Sequence, residues 1–210
     1  MKETLIILGA GGSAQQVFWL INRLRKYDIA GFYDEKIESD EILLGLPVRR
    51  SVEELASSTK GRVRLISAVG DIYLRERWHN EYGSRFEYAT LIDPNALIAP
   101  NAEIGKDVVI HAFTTVSMNA TVGDSTYISW NCLVAHDVKI GKFSQISPGT
   151  QITGRCQVGD FCQLGTNCSL LPDRIVGSGS IVGAGAVVNN DIPKNALAVG
   201  VPAVVKRIIA

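Results

Sequence analysis

The chain has 210 residues, and its 21 basic and 21 acidic side chains give a formal net charge of zero. A neutral chain has no electrostatic preference for nucleic acid or for an anionic membrane surface, so neither is expected as a partner. The sequence has no run of eighteen apolar residues and no cationic segment before a cleavage site, which predicts a cytoplasmic protein outside the membrane. Its length allows one or two domains.

The N-terminal third begins with a strand, a glycine-rich loop and a helix. Residues 4–8 form an apolar run, the loop GAGGSA follows at 9–14, and apolar side chains then recur at helical spacing through 17–24. In this order of elements, glycines let backbone N–H groups at a helix N-terminus approach a phosphate. The alternative is a tight turn without a ligand. The residues predicted to contact the substrate here are Gly11, Gly12 and Ser13.

Two further strands are predicted to end in polar residues at the same edge of a parallel sheet. A strand at 29–33 is followed by Asp34, Glu35 and Lys36, and a strand at 63–69 is followed by Gly70 and Asp71. Ligands of open α/β sheets bind at the carboxyl ends of the strands, where an acidic residue hydrogen-bonds a ribose hydroxyl. These five residues are therefore candidate substrate contacts.

The predicted sheet is small. Helices are expected at 52–57 and after residue 71, and a fourth strand is expected at 89–92. Three or four strands are too few for a full dinucleotide site, so a mononucleotide or a nucleotide-linked sugar fits better.

From residue 92 onward the sequence has a period of six. Every sixth residue from Ile92 to Val188 is Ile, Leu or Val, and the residue two positions earlier is usually small. Glycine recurs every eighteen residues, so three hexads are expected to make one coil with a repeated corner. A fixed short period is typical of a hexapeptide β-helix; a β-sandwich would lose the phase at its loops. The recurring glycines are Gly105, Gly123, Gly141, Gly159 and Gly177.

All four cysteines occupy the small column, and no two are eighteen residues apart. None is therefore stacked directly on another, and no CxxC spacing occurs, so they are interpreted as free buried thiols rather than a disulfide or metal set. They are Cys132, Cys156, Cys162 and Cys168.

The chain has three histidines, and His79 lies outside the repeat, so a β-helix zinc site with three converging histidines is not expected. His111 is interpreted as structural. His136 follows the inward Val134 by two positions, near a corner, and by position alone a solvent-exposed side chain is the simpler interpretation. Gly154, eighteen residues further on, would lie one coil away at about 4.8 Å, leaving room beside the imidazole.

The combination of these segments resembles a known family. The motifs are GAGGSA (9–14), FYDEK (32–36), AVGD (68–71), AHDVKIG (135–141), FSQISPGT (143–150) and the tail at 181–188 and 198–203. Together they resemble the sugar O- and N-acyltransferases of the sialic acid O-acetyltransferase (NeuD) and PglD type, within the hexapeptide-repeat superfamily. The resemblance covers nearly the whole chain. It implies a Rossmann-like α/β domain over residues 1–91 and a left-handed parallel β-helix over 92–210. It also implies a homotrimer with active sites between neighbouring β-helices.

The resemblance implies roles for individual residues. His136 would be the general base, and Asp137 would orient its imidazole, although a pairing of Asp137 with Arg155 is a competing explanation. The Gly154 N–H would face the acetyl carbonyl of acetyl-CoA. Gln145 stands where many members have a second histidine, and Ser13 stands where members often have one. The residues expected to line the pantetheine groove are Gly165, Thr166 and Ala184.

Three functions follow from this sequence. The leading hypothesis is N-acetylation of a nucleotide-linked amino sugar, with acetyl-CoA as acyl donor, direct transfer and no metal. The second is O-acetylation of a sugar hydroxyl, such as that of a sialic acid. The third is a non-catalytic nucleotide-sugar-binding scaffold in a surface-polysaccharide complex.

Overall fold

A computed structural model describes residues 2–39, 41–59 and 61–209. The chain divides into two compact units, Met1–Leu91 and Ile92–Ala210. The first unit matches the predicted Rossmann-like class, and the second is a parallel β-helix, so the predicted fold class is confirmed in both.

Among the described residues, the first unit is a six-stranded sheet with three helices. Its strands are β1 (Glu3–Leu8), β2 (Tyr27–Tyr33), β3 (Glu41–Leu43), β4 (Leu46–Arg49), β5 (Val63–Ser67) and β6 (Glu87–Tyr88). Its helices are α1 (Gly12–Leu24), α2 (Val52–Ser57) and α3 (Ile72–Tyr82). The sheet order is β3-β4-β2-β1-β5-β6, and every pair is parallel except β3–β4.

The central strand of this sheet is apolar because it is covered on both faces. Residues Leu5 to Leu8 of β1 are all fully buried, as expected for a parallel strand with helices above and below. Helix α1 packs its apolar stripe inward, with Ala14, Val17 and Leu20 among its buried residues. It ends at Arg25, whose left-handed φ of 54° lets its N–H bond the carbonyl of the last turn.

The structure differs from the predicted elements of this unit in one boundary, one divided strand and one additional hairpin. The third predicted strand ends at Ser67 rather than residue 69. The segment expected as one strand at 89–92 is divided: Glu87–Tyr88 pairs with β5, whereas Leu91–Ile92 belongs to a wall of the β-helix. The β3–β4 hairpin was not predicted. Its turn, Leu44–Gly45, has positive φ at both residues, but Leu44 is not a residue that signals such a turn.

The β-helix has three walls, each made of strands stacked in parallel. The first wall contains β7 (Leu91–Ile92), β10 (Val109–Ile110), β13 (Tyr127–Ile128), β16 (Gln145–Ile146), β19 (Gln163–Leu164) and β22 (Ile181–Val182). The second contains β8 (Leu97–Ile98), β11 (Thr115–Val116), β14 (Leu133–Val134), β17 (Gln151–Ile152), β20 (Ser169–Leu170) and β23 (Val187–Val188). The third contains β9 (Glu103–Ile104), β12 (Thr121–Val122), β15 (Lys139–Ile140), β18 (Gln157–Val158) and β21 (Ile175–Val176).

The coils keep their phase. Within the repeat, strand partners are eighteen residues apart, as in Val116 against Val134 and Val134 against Ile152. From Ile110 to Val188 the sixth-residue aliphatics are at most 3% exposed, while Ile92, Ile98 and Ile104 at the first coil are partly buried against the same core. After the last coil, β24 (Ala196–Val199) continues the first wall, and β25 (Val204–Ile208) pairs with it antiparallel.

The recurring glycines allow close stacking of neighbouring coils and do not provide a positive φ at the corner. None of the five has a left-handed φ, and a Cβ on Gly123 would lie 2.7 Å from backbone atoms of the next coil. The left-handed corner conformation is taken two residues later by side-chain-bearing residues such as Asp107, Ser125 and Phe143. Glycine is therefore needed here because neighbouring coils approach closely.

The four cysteines are free and buried, as predicted. Burial raises the pKa of Cys132, Cys162 and Cys168 to about 11, so these thiols stay protonated at neutral pH. They pack as small apolar groups inside the β-helix.

Candidate active site

His136 lies on the edge that joins the second wall to the third, between β14 and β15. Its side chain is 52% exposed, and its Nδ1 lies 2.8 Å from Oδ2 of Asp137. A carboxylate can only accept at this contact, so the neutral imidazole carries its proton on Nδ1. The Nε2 atom is then left with its lone pair, which is the form a general base requires.

Gly154 lies one coil away, directly beside this imidazole. A Cβ on Gly154 would be 2.6 Å from Nε2 and 2.7 Å from Cε1 of His136. Within the described chain the N–H of Gly154 donates to no protein acceptor, whereas its carbonyl accepts the N–H of Asp173 at 3.1 Å. The β-helix therefore places an imidazole nitrogen next to a buried glycine whose amide hydrogen has no acceptor among the described residues.

Asp137 does not form the competing ion pair with Arg155. Its Oδ1 accepts from Nδ2 of Asn119 at 2.9 Å, while Arg155 donates to both carboxylate oxygens of Asp173 at 2.6 and 2.8 Å. The hydrogen bonds from His136 and Asn119 hold the pKa of Asp137 below its ordinary value. Asp137 is therefore an ionised carboxylate directed at the imidazole.

The other predicted acyl-donor residues lie elsewhere on the β-helix. Gly165, Thr166 and Ala184 occupy the edge between the first and second walls, and Gln145 begins β16 of the first wall. Thr166 and Ala184 are exposed, and the side-chain oxygen of Gln145 is buried without a partner in the described chain. Within a single chain these residues are not brought together with His136.

Gly165 also has a structural reason to be glycine. A Cβ there would lie 2.5 Å from the backbone nitrogen of Ala184, so the stacking of the two coils excludes a side chain. Its position on the predicted groove is consistent with ligand binding, but the close backbone approach accounts for the residue type by itself.

In the α/β unit, the three loop glycines have different environments. Gly9 has a φ of +114°, and its Cβ would lie 2.7 Å from the Val69 side chain, so the fold itself requires glycine there. Added Cβ atoms on Gly11 and Gly12 would meet nothing within 4 Å. The open space lies at the N-terminus of α1, whose first turn has no acidic residue and whose N–H groups point outward. Ser13 is partly buried in this turn.

The residues after β2 form a polar turn. Oδ1 of Asp34 accepts the N–H of Lys36 at 2.9 Å, and Glu35 pairs with Arg77 of α3 at 2.5 Å. Arg77 was not predicted as a site residue. Arg77 is a basic residue in α3, the helix that follows β5. Basic residues at such positions are too common for the sequence alone to identify one of them as a site residue. Lys36 is exposed and faces solvent at this sheet edge.

Asp71 has a structural role that the sequence also allows. Its Oδ1 accepts the N–H groups of Tyr73 and Leu74 at 3.0 and 3.1 Å, which makes it the N-cap of α3. A Cβ added to Gly70, the residue before it, would meet no atom within 4 Å. Gly11, Asp34 and Gly70 follow the carboxyl ends of the three adjacent strands β1, β2 and β5, as predicted for a ligand site of an α/β sheet.

In the described ranges no group of three His, Cys, Asp or Glu side chains is arranged to hold a metal ion. The helices within these ranges are too short or too polar to cross a lipid bilayer.

Two family models and several solved structures match this chain. Residues 4–82 match the PglD N-terminal domain, and residues 155–190 match the bacterial transferase hexapeptide repeats. The structure of perosamine N-acetyltransferase (PerB) from Caulobacter crescentus, a variant with CoA and GDP-perosamine, is 28% identical with a TM-score of 0.90, covering 97% of each chain. The acetyltransferase domain of PglB from Neisseria gonorrhoeae, with acetyl coenzyme A, is 29% identical with a TM-score of 0.90, covering 98% of this chain and 100% of that one. A search of curated proteins found no significant match.

The fold and these matches define a hexapeptide-repeat acyltransferase. Its N-terminal unit carries the PglD N-terminal domain, and its solved neighbours are sugar acetyltransferases of the PglD and NeuD-like family.

Proposed function

We propose that the protein transfers the acetyl group of acetyl-CoA to an amino group of a nucleotide-linked amino sugar. The observation that carries the proposal is the contact of His136 with Gly154, in which Nε2 faces a glycine with an available N–H and Nδ1 faces Asp137. The solved neighbours add support, because PerB is described with CoA and GDP-perosamine, and PglB with acetyl coenzyme A.

The proposed reaction is a direct transfer. Nε2 of neutral His136 accepts a proton from the amine as its nitrogen bonds to the thioester carbonyl carbon. The carbonyl oxygen becomes negative, and the Gly154 N–H stabilises it by about 3 kcal/mol. The carbon–sulfur bond then breaks, and the CoA thiolate leaves and takes up a proton. Asp137 stabilises the imidazolium that forms between these steps. The buried, protonated cysteines give no support to an acyl-enzyme.

The α/β unit is proposed to hold the nucleotide. Its pyrophosphate would accept hydrogen bonds at the N-terminus of α1, around Gly11, Gly12 and Ser13. Asp34, Glu35, Lys36, Gly70 and Asp71 would surround the remainder of the nucleotide at the strand ends. A helix N-terminus without acidic residues and with open space favours a phosphate-bearing acceptor over a free sugar.

Assembly into a homotrimer belongs to the proposal. One β-helix carries His136 on one edge and the predicted groove residues on another. Gln145 lies on neither edge but in the first wall. The groove residues are Gly165, Thr166 and Ala184. A neighbouring copy that presents one edge against the other would combine them into a single site. Light scattering coupled to size exclusion tests this; an active monomer at assay concentration would contradict it.

The function is tested with His136→Ala and a panel of acceptors. We expect turnover to fall at least about a hundredfold, because a positioned general base contributes that much or more, with an unchanged circular dichroism spectrum. GDP-, UDP- and dTDP-linked amino sugars are compared with free sialic acid, and released CoA thiol is measured. Acetylation of sialic acid alone would replace the proposal with O-acetylation. Nucleotide-sugar binding without CoA binding in calorimetry would replace it with a scaffold.

A further inference from the structure

The edge that carries His136 also carries a column of hydrogen-bonded side chains. Asn101, Asn119 and Asp137 are spaced eighteen residues apart and therefore stack on successive coils. Asn101 Nδ2 donates to Asn119 Oδ1, Asn119 Nδ2 donates to Asp137 Oδ1 at 2.9 Å, and Asp137 Oδ2 lies 2.8 Å from His136 Nδ1. The column runs over three coils and ends at the imidazole.

We propose that Asn119, oriented by Asn101, is a positioning residue that fixes the tautomer of His136 through Asp137. The role in catalysis depends on the proposed function, in which His136 is the base. No amide of the column touches the reacting atoms.

The direction of each hydrogen bond follows from a backbone group. The N–H of Asn119 can only donate, and it donates to Oδ1 of Asn101 at 3.3 Å, so the amide nitrogen of Asn101 faces the Asn119 side chain. Asn119 must then present its oxygen to Asn101 and its nitrogen to Asp137. With one carboxylate oxygen bound by Asn119, the other accepts the proton on Nδ1 of His136. Nε2 is left unprotonated beside Gly154.

The charged groups around the imidazole explain why a neutral donor suits position 119. Asp137 faces His136 directly, while Arg155 on the next coil is bound to Asp173 through both of its carboxylate oxygens. The amide of Asn119 holds Asp137 in place without neutralising it. The negative charge therefore remains available to the imidazolium that forms during the reaction.

A backbone explanation for these asparagines must be separated from this one. Asn119 and Asp137 have left-handed φ values of 58° and 61°, a conformation that Asn and Asp tolerate better than most residues. Asn119→Gly keeps this conformation accessible while removing the amide. Asn195→Gly is the matched control, because Asn195 has a φ of 53° and is exposed on the edge between the third and first walls, away from both His136 and the predicted groove.

The experiment measures the tautomer and the kinetics together. Long-range proton–nitrogen NMR near pH 8 reports the two ring nitrogens of each histidine, and the His136→Gln spectrum assigns the signals of His136. For Asn119→Gly we expect a reduced Nδ1–H population and a kcat on the order of tenfold lower at unchanged KM. Asn195→Gly should alter neither quantity.

A second variant tests the orientation itself. In Asn101→Asp the carboxylate can only accept, so the Asn119 amide is expected to turn and direct its oxygen at Asp137. Its tautomer shift and kcat loss should equal those of Asn119→Gly. If Asn119→Gly lowers the melting temperature but leaves tautomer and kcat at parent values, the column is structural and the inference is wrong. If His136→Gln retains turnover, His136 is not the base of the proposed reaction, while the tautomer measurement still decides whether Asn119 positions the ring.

Discussion

The β-helix and the α/β unit place polar groups by different means. In the β-helix a residue's position in the eighteen-residue coil determines its neighbour, so Gly154 lies beside His136 and Asn119 beside Asp137. In the α/β unit the polar residues are distant in sequence and meet because parallel strands end at one edge. The first arrangement fixes individual atoms against each other. The second provides an open surface.

Glycine shows the same contrast. Gly154 leaves the space that the His136 imidazole occupies, and the five recurring glycines leave space for neighbouring backbone. Gly11 and Gly12, in contrast, face space that the described protein does not fill. A missing side chain thus serves internal packing in one unit and leaves room for a ligand in the other. The predictions below test this contrast, beginning with the largest effect.

Gly154→Ala should break the contact on which the β-helix site depends. The added Cβ would lie 2.6 Å from Nε2, so the half-exposed imidazole must move away. We expect kcat to fall at least about a hundredfold, while the free energy of unfolding changes little. Gly154→Ala in a His136→Ala background is the control, since the methyl group then meets no ring. Full activity of Gly154→Ala would show that the imidazole position is not required.

Ile140→Ala and Lys139→Ala compare the two faces of one strand, β15. Ile140 is 3% exposed and faces the core, whereas Lys139 is exposed. The first should lower the free energy of unfolding by about 3 kcal/mol through lost burial and a cavity, and the second by less than about 0.5 kcal/mol. Urea unfolding followed by circular dichroism measures both. Equal effects would be inconsistent with the inward column.

His111→Gln should reduce the sensitivity of the β-helix to acid. His111 is 1% exposed, stacks on Trp130 with centroids 3.9 Å apart, and burial lowers its pKa to about 4, with Asp93 opposing the shift. In the unfolded chain this imidazole has a pKa of ~6.5 and binds a proton more readily than in the folded chain. The contribution of neutral, buried His111 to the free energy of unfolding is therefore present above that pH and is lost as the pH falls towards 4. The loss should be on the order of 2–3 kcal/mol.

Urea titrations at pH 7.5 and pH 4.5 measure this loss for the parent and for His111→Gln. His136→Gln has the same substitution at an exposed position and serves as the control. An identical acid loss in the parent and in His111→Gln would mean that other groups dominate the acid dependence.

Gly11→Ala tests the open space of the α/β unit. The backbone of Gly11, with φ −84° and ψ −164°, accepts alanine, and the added Cβ meets no protein atom. We expect stability to change by less than about 0.5 kcal/mol and the Kd for GDP to rise about fivefold, near ~1 kcal/mol. Gly9→Ala, with its φ of +114°, should instead lower stability by about 1–3 kcal/mol. Calorimetry with GDP decides; unchanged affinity in Gly11→Ala would indicate a turn without a ligand.

The β-helix was highly predictable because each environment depends on a short period. The sequence placed Gly154 beside His136, and the structure has them in contact. It also left open whether Asp137 would orient the imidazole or pair with Arg155; in the structure Asp137 contacts His136 and Asn119. That choice depends on side-chain geometry, since Arg155 reaches Asp173 with two hydrogen bonds and is then unavailable. The eighteen-residue spacing determines which residues are stacked, and the side-chain rotamers determine which of them form hydrogen bonds.

The α/β unit was less predictable in detail. Its central strands and helices follow from apolar runs and helical spacing, yet the β3–β4 hairpin carries no turn signal, and the two-residue β6 is too short for a pattern. The sequence also did not reveal that Gly9 is crowded by the protein while Gly11 faces open space. Both belong to one motif, and their difference is set by the Val69 side chain, sixty residues away from Gly9 in sequence.

The antiparallel strand β25 closes the first wall after the last coil. A stack of parallel coils otherwise ends in unpaired backbone groups that another chain could extend, as happens in fibrils. Because β25 runs in the opposite direction, it does not continue the parallel wall, and its exposed residues combine Lys206 and Arg207 with the apolar Val204, Val205 and Ile208. The first wall therefore ends in an antiparallel strand rather than in a further parallel strand onto which the coil of another chain could continue in register.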